Sequence, residues 1–225
     1  MPCVLAQRAL LFYGFLALLL TVLLAIPMES QAQSPIASKN ADKVLIVGDS
    51  LSAEYGLQRG SGWVALLEEK LRTEKPAVTV INASISGDST AGGRARLAAL
   101  LSQHKPSILV IELGANDALR GLALEATQQN LLAMTRAAQK SKARVLLVGM
   151  QVPPNYGAAY SETFASLFPR VAKTTQSALV PFLLKNVADI ADPSPLFQRD
   201  RLHPNEAAHP IILANVWPEL RKLFK

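Results

Sequence analysis

The chain has 225 residues, 50% of them hydrophobic and 18% charged, with 23 Lys and Arg against 17 Asp and Glu. That composition is globular and excludes a disordered or collagen-like chain. A net charge of +6 raises nucleic acid or an anionic surface as partners. The single cysteine, Cys3, excludes a disulfide framework and any cysteine-built metal site.

Arg8 precedes an apolar stretch from Ala9 to Ile26, which Pro27 ends. Ser30-Gln31-Ala32 then offers small residues at the third and first positions before a cut. A positive start, an apolar middle and a small-x-small site describe a secretory signal peptide. Residues 1–32 are therefore predicted to direct a bacterial protein to the periplasm or out of the cell. Residues 33–42 form a polar leader, and residues 43–225 form one domain. Cleavage or retention as an anchor stays open, because a span needs about 20 apolar residues and this run is slightly shorter. Cleavage after Ala32 would remove Cys3, exclude a cysteine nucleophile and leave the net charge unchanged.

In chain order, Lys43 to Val47 reads as a first strand that stops at Gly48-Asp49-Ser50. Trp63, Leu66, Leu67 and Leu71 recur at helical spacing and predict a helix from Gly62 to Lys75. Val78 to Ile81 is the second strand, followed by a polar loop to Thr90. Leu97, Leu100 and Leu101 mark a helix ending near His104. Ile108 to Leu113 reads as a continuous apolar strand, ended by Gly114-Ala115-Asn116-Asp117. A helix from about Leu124 to Lys140 precedes a strand from Arg144 to Gly149, and residues 151–159 form a Pro- and Gly-bearing loop. Phe164, Leu167, Phe168, Val171 and Ala172 predict a helix that Pro169 should bend or delimit. Val180 to Leu184 is the predicted fifth strand, and Asn205 to Phe224 a helix interrupted by Pro210 and Pro218. Short apolar strands alternating with helices predict one α/β domain with a largely parallel sheet between two helical layers. Ligands in such a sheet bind beyond the carboxyl ends of the strands.

The loops at those ends carry the chemistry. Ser50 sits where a strand-to-helix turn can expose a hydroxyl to a base, although Gly-Asp-Ser alone reads equally well as a helix cap. It is not the G-x-S-x-G elbow, because the second glycine is missing. His203 follows Asp200 by three residues, a spacing that lets a carboxylate hold one ring nitrogen and leave the other as base. His209, three residues after Glu206, is a rival, whereas His104 has no close acidic neighbour. Gly87 can bring a bare backbone N–H near a ligand. Asn116 offers an amide donor, and with the Ser50 N–H these make three donors for an oxyanion. Each is also an ordinary turn or cap residue on its own. The sequence has no phosphate-binding G-x-x-x-x-G-K-[ST], no strand-linked G-x-G-x-x-G and no Lys/Arg-rich run.

Gly48-Asp49-Ser50-Leu51, Gly87, Gly114-Ala115-Asn116-Asp117 and Asp200-Arg201-Leu202-His203-Pro204, in this order, resemble the four blocks of the SGNH (GDSL) hydrolase family. IVGDSLSAEYGL, NASISGDST, ELGANDALRG, VPPNYG and LHPNEAAHP look most like its thioesterase, lysophospholipase and arylesterase branch. The resemblance implies a flavodoxin-like three-layer α/β/α sandwich with a five-stranded parallel sheet. It implies Ser50 as nucleophile, His203 as general base and acid, Asp200 as the residue orienting His203, and an oxyanion hole of Ser50, Gly87 and Asn116. It also implies that Pro153, Asn155, Tyr156 and Gly157 line the acyl chain. The expected activity is hydrolysis of acyl esters and thioesters, including acyl-CoA-like, lysophospholipid and aryl ester substrates, with no metal and no cofactor. The expected partners are such small molecules and transiently lipid, not nucleic acid, with the protein a monomer. Two alternatives remain at this level: an exported carbohydrate acetyl esterase with the same catalytic set, and a non-catalytic flavodoxin-like binding module.

Overall fold

The computed structural model describes residues 42–224. The predicted signal peptide and residues 33–41 of the leader lie outside the described residues. Lys43–Gly48 forms β1, Trp63–Glu74 α1, Thr79–Asn82 β2 and Thr90–His104 α2. Ile108–Glu112 forms β3, Ala115–Leu119 α3, Leu124–Lys140 α4 and Arg144–Val148 β4. Ala158–Thr175 forms α5, Ala178–Val180 β5 and His209–Leu220 α6.

The five strands are all parallel, in the order β2-β1-β3-β4-β5. This is the flavodoxin-like order, with its switch point between β1 and β3. Helices α1 and α6 pack together, and α2, α4 and α5 pack in a row, so the sheet lies between two helical layers. Covered on both faces, β1, β3 and β4 are buried almost throughout, which is why they read as unbroken apolar runs. The edge strands β2 and β5 are short and only partly buried. Helix α1 buries Trp63, Val64, Leu67 and Leu71, the stripe that its spacing announced. Phe164 and Phe168 of α5 meet edge to face at 5.4 Å in the core.

Three expectations need correction. The fifth strand is Ala178–Val180, not Val180 to Leu184. Pro181 has no N–H to extend the ladder, and the chain turns instead, the Leu183 N–H donating to Gly149 O at 2.9 Å. Leu183, Leu184 and Val187 are buried in that turn, so their apolar pattern reflects burial without a strand. Pro169 does not delimit α5, which runs on because its buried stripe continues through Val171, Ala172 and Thr175. Pro210 lies in the first turn of α6 rather than interrupting it, and Pro218 sits inside the helix. The segment from Asn205 begins as a 3-10 turn over Glu206–Ala208, capped by the Asn205 side chain. The short helix α3 was not anticipated, and it carries Asn116.

Gly149 shows how tightly the carboxyl ends are packed. A Cβ there would lie 2.3 Å from the Pro181 carbonyl oxygen, a backbone atom that cannot swing aside. Gly149→Ala is expected to destabilise the domain by about 1–3 kcal/mol, read as a lower midpoint in urea unfolding.

Candidate active site

Ser50 opens the turn after β1. The Asp49 carbonyl accepts the N–H groups of Ser52 at 3.2 Å and Ala53 at 3.0 Å, closing the turn around the serine. No helix follows directly, as the strand-to-helix reading required: residues 50–56 form turns, and α1 starts at Trp63.

His203 arrives from the loop before α6. Its Nε2 lies 3.0 Å from Ser50 Oγ, and its Nδ1 lies 2.6 Å from Asp200 Oδ2. Asp200 Oδ1 accepts the backbone N–H groups of Leu202 at 2.9 Å and His203 at 3.0 Å. Desolvation works against the Asp200 charge. The two N–H groups and the imidazole outweigh it and hold the carboxyl down at about 2. An ionised Asp200 only accepts, so it takes the Nδ1 proton and leaves Nε2 as the acceptor for the serine hydroxyl. The tight loop places Arg201 at a φ of 57°, a left-handed conformation that is costly for a residue with a Cβ and that clusters at functional sites. The Tyr55 ring covers the imidazole at 4.4 Å between centroids.

Asn116 comes from α3, and its Nδ2 donates to Asp49 Oδ2 at 3.0 Å. Arg120 Nη2 donates to the Gly87 carbonyl at 2.8 Å and lies 3.5 Å from Asn116 Oδ1, tying the loop after β2 to α3. Gly87 has a φ of +78°, which glycine adopts without strain. Asp117 anchors α3: its carboxylate accepts from the Thr90 N–H and hydroxyl at the start of α2 and from Thr127 Oγ1 at 3.3 Å. The structure thus brings Ser50, Asp200, His203 and Asn116 together, with Gly87 linked to Asn116 through Arg120.

The predicted acyl wall lies beside α3. Tyr156 Oη donates to the Leu119 carbonyl at 3.4 Å and stacks with Tyr160, whose hydroxyl donates to the Ala118 carbonyl at 3.0 Å. Pro153 and Asn155 are exposed, and Gly157 caps α5 at a φ of +88°. No described hydrogen bond joins these residues to Ser50.

The rival histidine has a different task. His209 is buried as the first residue of α6, and its Nδ1 accepts the Trp63 N–H at 3.0 Å, satisfying a donor at the start of α1. Burial holds its imidazole below the ordinary value, against the carboxylates of Glu54 and Glu206. A neutral ring can accept; a cation cannot.

Beneath Ser50 lies a cluster that motif reasoning missed. Glu112, the last residue of the supposedly apolar β3, is fully buried. Its Oε2 accepts from Ser52 Oγ at 2.7 Å and from the Asp49 N–H at 3.3 Å, while Trp63 Nε1 donates to Ser52 Oγ at 3.2 Å. Burial and the neighbouring Asp49 charge push the Glu112 carboxyl well above the ordinary glutamate range. Burial likewise pushes Asp49 up to about 6, against the hydrogen bonds from Leu51 and Asn116 and the field of His203. The one available signal was a glutamate inside an otherwise apolar strand. Among the described residues, no group of three or more His, Cys, Asp or Glu side chains is placed to hold a metal ion.

A serine, a histidine and an aspartate in one hydrogen-bonded line, at the carboxyl ends of a parallel sheet, form the arrangement of a hydrolytic α/β enzyme. Residues 46–211 match the GDSL-like Lipase/Acylhydrolase family. Esterase TesA of Pseudomonas aeruginosa is 47% identical over 218 residues, covering 97% of this chain and 100% of the relative. Thioesterase 1/protease 1/lysophospholipase L1 of Escherichia coli K12 is 41% identical over 172 residues, 76% of this chain and 80% of the relative. A crystal structure of TesA superposes with a TM-score of 0.78 at 49% identity, covering 81% of this chain and 100% of that one. The chain belongs to the GDSL-like lipase/acylhydrolase family, and it is an ester hydrolase.

Folded Glu112 keeps its proton above 4.5, where the unfolded chain releases it. The native state then binds more protons, so this group's contribution to stability is lost as pH rises from 4.5 through the raised folded value. Glu112→Gln removes that titration. Its stability relative to the unaltered protein is expected to improve steadily with pH, measured by denaturant midpoints at about pH 5 and about pH 8. A difference constant in pH would contradict the assignment.

Proposed function

We propose that the protein hydrolyses acyl esters and thioesters through an acyl-enzyme on Ser50. The observation that carries this reading is the continuous line from Asp200 Oδ2 through the His203 ring to Ser50 Oγ, at 2.6 and 3.0 Å. His203 Nε2 takes the hydroxyl proton as Ser50 Oγ bonds to the acyl carbon. The carbonyl oxygen becomes an oxyanion, received by the Ser50 and Gly87 N–H groups and the Asn116 amide. Each such donor is worth about 3–4 kcal/mol of barrier. His203 then gives its proton to the leaving alcohol or thiol, and the C–O or C–S bond breaks. Water attacks the acyl-enzyme by the same route, with His203 taking its proton and returning one to Ser50 Oγ. Asp200 stays ionised and stabilises the imidazolium formed in between.

An apolar acyl group is supported by the rim of the site. Tyr55, Ile85, Leu122, Tyr156 and Leu202 are large, exposed and apolar, and each lies in a segment at or beyond a strand's carboxyl end. Pro153, Asn155, Tyr156 and Gly157 form one side of that rim, and Gly157 serves as a hinge. The names of the relatives, one an esterase and the other a thioesterase and lysophospholipase, support the same substrate range. The same rim supports transient contact with lipid by a monomeric enzyme. Residues 1–32 act as the export signal that takes the domain to the periplasm or out of the cell. Among the described residues, no helix is long and apolar enough to cross a membrane.

Ser50→Ala is expected to abolish hydrolysis of a p-nitrophenyl acyl ester while leaving the circular dichroism unchanged. Persistent turnover would sink the nucleophile assignment. His203→Ala should silence the enzyme equally. His209→Ala should keep its chemistry and lose about 1–2 kcal/mol of stability, because a buried N–H at the start of α1 loses its acceptor. Rates on acetylated sugar and on lauroyl or palmitoyl esters separate the acyl reading from a carbohydrate acetyl esterase. The long-chain esters should be the better substrates.

A further inference from the structure

We propose that Asp49 is a positioning residue: its buried carboxylate holds the Asn116 amide so that one N–H is fixed inward and the other faces the substrate oxygen. The inference deepens the ester-hydrolysis scheme and rests on reading Asn116 as an oxyanion donor.

A side-chain amide has a donor end and an acceptor end of nearly equal shape, so its orientation must be imposed by neighbours. Asn116 is gripped at both ends. Its Nδ2 donates to Asp49 Oδ2 at 3.0 Å, and its Oδ1 faces Arg120 Nη2 at 3.5 Å. Asp49 in turn is committed at both oxygens, since Oδ1 accepts the Leu51 N–H at 3.0 Å. Two donors facing the two oxygens of one buried side chain demand a carboxylate. An asparagine at 49 has one acceptor and one donor end, so it would confront a donor whichever way it turned. That conflict turns the Asn116 amide and takes its donor away from the reacting oxygen.

Glu112 explains how the charge stays on Asp49. The two carboxyls are neighbours in a dry interior, where a second negative charge is unfavourable. Asp49 faces Asn116 from α3, His203 from the loop before α6, Asp88 from the loop after β2 and Glu112 from β3. The hydrogen bonds from Leu51 and Asn116 favour ionisation at Asp49. Glu112 has one oxygen, Oε1, buried without a hydrogen-bond partner, and is the poorer host for charge. Glu112 therefore carries the proton.

The test is a double-mutant cycle with kcat and KM measured on a p-nitrophenyl acyl ester. Asn116→Ala should lower kcat by about 10²–10³-fold. Asp49→Asn should lower kcat by a comparable factor with KM little changed, the split expected of an interaction made only in the transition state. Combined with Asn116→Ala, Asp49→Asn should change the rate by no more than about twofold, because its lever is already gone. Multiplying losses, or an Asp49→Asn enzyme with unaltered kcat, would overturn the positioning role. An Asn116→Ala enzyme with unaltered kcat would instead overturn the oxyanion reading and take this inference with it. If Asp49→Asn does not fold, the Asn116 side-chain ¹⁵N–¹H pair is followed against pH in His203→Ala protein, which lacks the neighbouring imidazole. One of its two protons should shift as Asp49 takes its proton at about 6 or above. A pair unmoved through that titration would overturn the proposal.

Discussion

The pairing of Gly48 with Glu112 across β1 and β3 is the constraint from which the site is built. Without a Cβ, Gly48 leaves room for a carboxyl against the backbone, where a methyl group would sit 2.8 Å from both Glu112 Oε2 and Ser52 Oγ. Glu112 then reaches the Asp49 N–H and the Ser52 hydroxyl, and so holds the serine turn from below. Trp63 Nε1 completes that contact and couples the turn to the start of α1, where His209 of α6 takes the Trp63 N–H. A one-residue slip between β1 and β3 would remove the glycine from beneath the carboxyl and dissolve the whole arrangement.

Three carboxyls around the site have their titrations driven apart by their surroundings. Asp200 lies at the surface and gathers N–H donors, so it is ionised at any working pH. Glu112 is dry, faces a neighbouring carboxylate and is driven the other way. Asp49 lies between these extremes, buried yet hydrogen-bonded, and titrates near 6. The His203 ring thus lies between an exposed carboxylate on Asp200 and the field of an inner carboxyl, Asp49. Separation of titration by environment assigns a distinct task to each group.

Most of the sheet was legible because β1, β3 and β4 are covered on both faces and therefore read as uninterrupted apolar runs. Helix α4 was legible in its extent, since its buried Leu131, Met134 and Ala138 keep helical spacing. The fifth strand was misplaced because Leu183, Leu184 and Val187 are as buried as a strand while lying in a turn. Five residues of α3 are too few for a periodic signal. In the site, Ser50, Asn116 and His203 stood out through their motif blocks, but the spacing to an acid does not by itself separate His203 from His209. Each has an acid three residues before it. What separates them is a partner far away in sequence: Ser50 for His203 and the Trp63 N–H for His209.

The site is therefore held in conflict with stability. Both Asp49 and Glu112 titrate above their unfolded values, so each weakens the fold as pH rises toward neutrality. Arg201 adds a left-handed backbone to the loop that presents His203. These costs fall where β1 and β3 contribute an apolar layer, Val44 to Val47 and Ile108 to Ile111, that is sealed from solvent. The same burial that stabilises those strands raises the energy of the carboxyls at their ends. Dryness makes an unpaired charge expensive and a paired one directional. An amide that must keep one orientation, as Asn116 does against Asp49, is best held by the second kind.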